Sequence, residues 1–202
     1  MHRRGFAVDY RQFRWSKLND ESFRHLKLLL FWPIYGIFFY FVEKLYMPAR
    51  YYPMHCALDD LIPFCELFLI PYLAWFLCIA GMLLYTLLYD IRAFRRFMHF
   101  IILTYSVTIV IYLIFSTCQQ LRPAAFPRDT LLTQMVGNFY SFDTNTNVCP
   151  SSHVLGALGV MFAGWDARRL RKPLWRVVFA ATAVLICLST VFLKQHSVID
   201  VL

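Results

Sequence analysis

Long runs of apolar residues, almost free of charge, dominate this chain. They extend from about Leu26 to Val42, Leu61 to Tyr89, Phe100 to Cys118, Ser151 to Trp165 and Leu174 to Leu193. A bilayer core takes roughly 20 apolar residues to cross, and it offers backbone groups no water to bond to, so such runs must satisfy their amides internally. Helices do this within one segment. With 59% apolar and only 16% charged residues in 202, the chain is too greasy for an ordinary soluble domain. The expected fold class is therefore all-α: a polytopic transmembrane helix bundle of about six spans. The sixth starts near His196 and reaches Leu202 after only roughly 10 Å of helix, too short to cross. Pro63, Glu66 and Pro71 interrupt the second run, so it is expected to begin as a broken or interfacial piece. Glu66 reads as a bundle-facing or snorkelling acid ahead of a catalytic one.

Two regions follow from the distribution of charge. Residues 1–25 are polar and basic, with Arg3, Arg4, Arg11, Arg14, Lys17 and Arg24. No small-residue cleavage site follows the first apolar run, which points to a retained cytoplasmic segment suited to anionic lipid. Residues 26–202 form the membrane-embedded part. Further cations gather at Arg92, Arg95 and Arg96, then at Arg168, Arg169, Arg171, Lys172 and Arg176, whereas the alternate connections hold only Lys44, Arg50, Arg122, Arg128 and Lys194. By the positive-inside rule the N-terminus and the first two clusters are cytoplasmic and the sparse loops lie on the other side. The net charge of +8 is spread between apolar runs and forms no cationic stripe, which argues against nucleic acid as a partner.

That topology brings three polar segments to one non-cytoplasmic surface: Gln119 to Pro123, Cys149 to His153, and Ser189 to Asp200. Histidine, aspartate, arginine and lysine are costly at a membrane boundary, so their convergence points to function. His196 and Asp200 are spaced i,i+4, which on a helix lets the carboxylate orient one ring nitrogen and leaves the other free as nucleophile or base. Pro150-Ser151-Ser152 has the character of a helix start, with amides aimed at an anion. Arg122 and Lys194 would supply fixed positive charge to a phosphoryl group.

The three segments, in this order, resemble the motifs of the type-2 phosphatidic acid phosphatases, K-x6-R-P, P-S-x-H and S-R-x5-H-x3-D. Arg122-Pro123 matches the end of the first, Pro150 to His153 the second, and Ser189, His196 and Asp200 the third. The resemblance implies that His196 attacks phosphorus, Asp200 supports it, His153 protonates the leaving oxygen and Arg122 holds the phosphate, to which the charge of Lys194 and the helix start at Ser151 and Ser152 would add further contacts. It implies no metal and no cofactor. Phe115 stands where the first-motif lysine is expected and Thr190 where the third-motif arginine is expected. Lys194-Gln195-His196 is similar to the branch of inositol phosphorylceramide and sphingomyelin synthases.

The expectation is an integral membrane phosphatase whose partners are a lipid phosphate monoester or diphosphate and the surrounding lipid. Headgroup transfer between lipids is the alternative, and the two departures leave an inactive scaffold open. A metal site of His153, His196 and Asp200 is a further alternative, since two histidines and a carboxylate suit iron or zinc. Of the six cysteines, Cys65, Cys78, Cys118 and Cys187 fall within or beside apolar runs as small hydrophobes, while Cys56 and Cys149 are placed where a disulfide could form. The connection from Gln119 to Pro150 is long for a bundle, and its Leu131 to Val136 stretch reads either as an interfacial lid or as a plain surface loop.

Overall fold

The computed structural model describes residues 6–201. Arg3, Arg4 and Leu202, counted in the sequence reading, lie outside the described residues. The chain is mainly helical: α1 (Phe31–Tyr40), α2 (Ala57–Leu61), α3 (Leu69–Tyr89), α4 (Ile91–Ile114), α5 (Leu131–Phe142), α6 (Ser152–Asp166) and α7 (Pro173–Phe192). Short 3-10 and π turns extend α1 into a continuous helical segment, Arg24–Leu45, and α3 back to Glu66. Two two-residue strands, β1 (Tyr52–Pro53) and β2 (Thr117–Cys118), pair in parallel.

Among the described residues, four helices are long and apolar enough to cross a membrane: Arg24–Leu45, Glu66–Tyr89, Ile91–Ile114 and Pro173–Phe192. Their outward faces carry exposed Ile37, Leu77, Leu103 and Val177, apolar surface that calls for a nonaqueous neighbour. The fourth expected span is shorter than this set, because α6 ends at Asp166 after 15 residues. It is the central helix, packed against α3, α4 and α7. Small residues permit that position, since they let helix backbones approach closely. A Cβ at Gly156 would lie 2.6 Å from the Tyr105 hydroxyl oxygen, and one at Gly164 would lie 2.5 Å from the Phe179 ring.

Several boundaries differ from the sequence reading. The third run begins at Ile91, so Arg92, Arg95 and Arg96 sit in the first turns of α4 rather than in a loop. Asp90 alone separates α3 from α4, and its carboxylate caps α4 at the Ala93 amide. The second run is indeed broken, with α2 and a turn at Glu66–Phe68 preceding α3. Buried Glu66 pairs with Arg128 at 3.0 Å, a structural role. The long connection contains α5, capped by Thr130, which packs Val136 and Phe139 against Leu69, Tyr72 and Leu193. All six cysteines are free, Cys56 and Cys149 included. The expected sixth helix is absent among the described residues, which end in a single 3-10 turn, Val198–Asp200.

The basic clusters share one end of the bundle. Asp90 accepts from the Arg168 amide at 3.0 Å, Arg96 meets Asp166 at 2.9 Å, and the Ala7 amide donates to the Leu88 carbonyl at 2.7 Å. The three polar segments meet at the opposite end.

Candidate active site

His196 lies in a turn that leaves α7 and has almost no helical character of its own. Its amide and that of Gln195 both donate to the Thr190 carbonyl, at 3.1 and 2.9 Å, and Lys194 takes a left-handed φ of 54° to reverse the chain. The i,i+4 contact with Asp200 therefore does not come from a shared helical face. It comes from a reciprocal cap in which the Ser197 amide donates to Asp200 Oδ2 at 2.9 Å and Ser197 Oγ accepts from the Ile199 amide. The carboxylate so fixed places Oδ2 3.4 Å from His196 Nδ1, ion-pair distance without hydrogen-bond alignment.

On the other side of the ring, Nε2 lies 3.1 Å from Ser151 Oγ. Ser151 is the N-cap of α6, so the second and third segments meet at this imidazole. In the tautomer protonated on Nδ1, the side that faces Asp200, the ring directs its Nε2 lone pair at the serine hydroxyl. His153 is the second residue of α6. Its ring stacks on Tyr72 and lies tilted against Trp75, with centroids at 4.5 and 4.6 Å, and is 6.0 Å from the His196 ring. Neither nitrogen of His153 has a protein partner, which leaves both for a ligand. Cys149, next to this pair, is no thiolate nucleophile: burial and then Asp200 push its thiol up to about 11.

The remaining expected phosphate ligands divide. Arg122 reaches the neighbourhood and stacks on Tyr140 at 4.4 Å, but its guanidinium donates to the carbonyls of Tyr140 and Thr144 and to Gln195 Oε1. Gln195 in turn lines the cavity beside His196. Ser152 lines that cavity, while its carbonyl accepts from the Tyr105 hydroxyl. Lys194 does not belong to it. Its ammonium turns away and donates to the Asp59 carbonyl at 2.7 Å, and the sequence reading of Lys194 as a phosphate ligand is not what this conformation presents. Phe115 stacks on Tyr52 and Thr190 donates to the Cys187 carbonyl, so neither position presents a cation to the site.

Two cavities join at His153. A polar one of about 40 Å³ is lined by Glu43, Tyr112, Asp143, Asn147, Ser152, His153, Gln195 and His196, among others. An apolar one of about 510 Å³, walled by α1, α3 and α5 through Trp32, Phe39, Trp75, Ile79 and Phe142, ends on Asp143, Ser152 and His153. Among the described residues no three His, Cys, Asp or Glu side chains come together closely enough to hold a metal ion, so His153, His196 and Asp200 do not form the ligand set considered above.

Sequence reasoning missed Asp59, Glu43, Asp143 and Asn147. Asp59 is 1% exposed and accepts from Ser197 Oγ at 2.6 Å, the Val198 amide at 2.8 Å and the Cys56 amide at 2.8 Å. Burial opposes its ionised form, but these bonds outweigh it and hold the carboxyl below its ordinary pKa. The available signal was the polar run Asp143 to Asn147 just before Cys149-Pro150, and a pair of aspartates ahead of an apolar span. No family model matches the chain, and no curated protein or solved structure matches it either.

Proposed function

We propose that the chain is an integral membrane enzyme that hydrolyses a lipid phosphate monoester or diphosphate through a phospho-histidine. The observation that carries this reading is the arrangement at His196, held between Asp200 and Ser151 with its ring 6.0 Å from that of the unpartnered His153. His196 Nε2 attacks phosphorus, the ester P–O bond breaks, and the leaving oxygen takes a proton from His153. Asp200 stabilises the imidazolium formed. Water then attacks the phospho-imidazole, giving its proton to His153 and releasing inorganic phosphate. The Ser151 hydroxyl turns from Nε2 to a phosphate oxygen as substrate enters, and the α6 N-terminus faces that anion. The resemblance to type-2 phosphatidic acid phosphatases supports the same assignment.

The apolar cavity ending at His153 supports a lipid as the carrier of the phosphate. It also favours a second reading, transfer of the phospho-headgroup to a lipid alcohol, because a hydroxyl delivered along it would replace water at the phospho-imidazole. In either reading the basic end of the bundle is cytoplasmic and His196 faces outward.

Leaving groups test the roles. His153→Ala is expected to lose at least about a hundredfold on an alkyl phosphate and to recover most of it on an aryl phosphate, whose phenolate leaves without a proton. His196→Ala is expected to be inactive on both. Equal losses for the two variants on both substrates would contradict the assignment.

A further inference from the structure

Glu43 and Asp143 are two carboxylates facing one small cavity that also holds both histidines, and nothing described so far employs them. Asp143 lines the polar cavity, the apolar cavity and a third opening beside Lys44, so it stands at their junction. Asp143 accepts a long hydrogen bond, 3.4 Å, from the Tyr72 hydroxyl. Glu43 accepts from the Thr144 hydroxyl. The nearby cations bond only neutral partners, Arg122 two carbonyls and Gln195, and Lys44 the Phe142 carbonyl at 2.7 Å, so neither forms an ion pair with the two carboxylates although their charges act on Asp143 from outside the polar cavity.

A third acceptor independently points to a ligand. Asn147 is 5% exposed and lines the same cavity. Its amide nitrogen donates to the Val42 carbonyl at 3.4 Å, whereas its Oδ1 is buried without a partner. A left-handed φ of 54° holds the residue in that position, a conformation asparagine tolerates better than most residues. A buried acceptor left open is costly unless something donates to it.

Two carboxylates beside the nucleophile oppose a bare phosphate dianion, and Arg122 and Lys44 offset them only from outside the polar cavity, which neither lines. A substrate that brings its own cation removes that penalty. Resting on the phosphoryl-transfer reading above, we propose that Glu43, Asp143 and Asn147 form a subsite for a primary ammonium group carried by the substrate a few atoms from its phosphate. The three hydrogens of the ammonium match three acceptors, and its charge balances part of the carboxylate pair. The chain attached to the amine-bearing carbon then runs into the aromatic cavity between α1 and α3, which Asp143 also lines.

Matched long-chain alkyl phosphates test this with the full chain in detergent micelles. One carries a 2-amino group, one carries the same amine acetylated, one a 2-hydroxyl, and one is unsubstituted. Phosphate release is expected to show a kcat/KM for the amine at least about tenfold above the unsubstituted and acetylated compounds, and above the hydroxyl compound. In the paired variant Glu43→Gln, Asp143→Asn the amine-to-unsubstituted ratio is expected to fall to about one. The acetylated arm leaves the protein intact, so the comparison stands even where that variant fails to fold. Equal rates for amine and unsubstituted compound would overturn the subsite alone, and a hydroxyl compound as good as the amine would overturn its preference for a cation. Release from none of the four would overturn the phosphoryl-transfer reading and the subsite with it.

Discussion

Asp59 holds the turn that carries His196, the proposed nucleophile, through Ser197 and Val198, and removing its carboxylate should show this. Asp59→Ala leaves the Ser197 hydroxyl and the Val198 and Cys56 amides without the acceptor they now share at 2.6 to 2.8 Å. A buried donor left unsatisfied costs about 1–3 kcal/mol. Two of the three belong to the turn that carries His196 and Asp200, so that turn should lose roughly 2–5 kcal/mol of its preference for this conformation. A displacement of about 1 Å at a reacting group can cost a hundredfold in rate. The expected result is a kcat at least about a hundredfold lower with KM little changed. Asp59→Asn keeps one acceptor and places an NH2 against a donor, so it should fall between wild type and Asp59→Ala. The assay is phosphate release from a soluble short-chain lipid phosphate, with a melting curve in detergent to follow global stability. Because Ser197→Ala removes one partner of the same contact, the double variant should lose less than the sum of the single losses. Additive losses, or an Asp59→Ala enzyme with wild-type kcat, would refute the positioning role. The pH dependence has a definite sign. The Asp59 carboxyl titrates below its ordinary value of 3.8, so its contribution is present above that pH and is lost as the pH falls through the lower, folded value.

Gly156→Ala puts a methyl 2.6 Å from the Tyr105 hydroxyl oxygen and 2.7 Å from Trp75 Nε1. It should destabilise the fold by about 1–3 kcal/mol, read as a lower melting temperature in detergent, and an unchanged melt would contradict the close packing of α6. A cysteine replacing Arg171 at the basic end should resist a membrane-impermeant thiol reagent in intact cells while labelling after lysis, since the proposed orientation puts that end in the cytoplasm. Labelling in intact cells above the background of the unsubstituted chain would reverse the orientation and move His196 to the cytoplasmic side.

The apolar runs announced the four long helices because spanning length and charge exclusion act locally on the chain. Pro63 likewise marked a real break, whereas Pro71 lies in the first turn of α3. Other features depend on contacts between distant segments, which spacing alone does not encode. The His196 to Asp200 interval looked helical, but Lys194 in the left-handed region and the Ser197 cap make the same contact from a turn. Lys194 looked like a phosphate ligand because its charge stands two residues from His196, while its direction is set by Asp59, 135 residues away. The central place of α6 was written in Gly156, Gly159 and Gly164, a small-residue pattern that carries less hydropathy than a lipid-facing span. Asp143 and Asn147 were visible as a polar run, and only the meeting of α1, α3 and α6 gives that run a cavity to line.

The covalent intermediate offers the most direct test. Purified chain mixed with a lipid phosphate labelled at phosphorus, quenched within a turnover and kept alkaline, should retain acid-labile, alkali-stable label on a single peptide containing His196. The label should form equally in EDTA, persist in His153→Ala with an aryl leaving group, and vanish in His196→Ala. Label on any other residue, or full turnover by His196→Ala, would contradict the proposed chemistry.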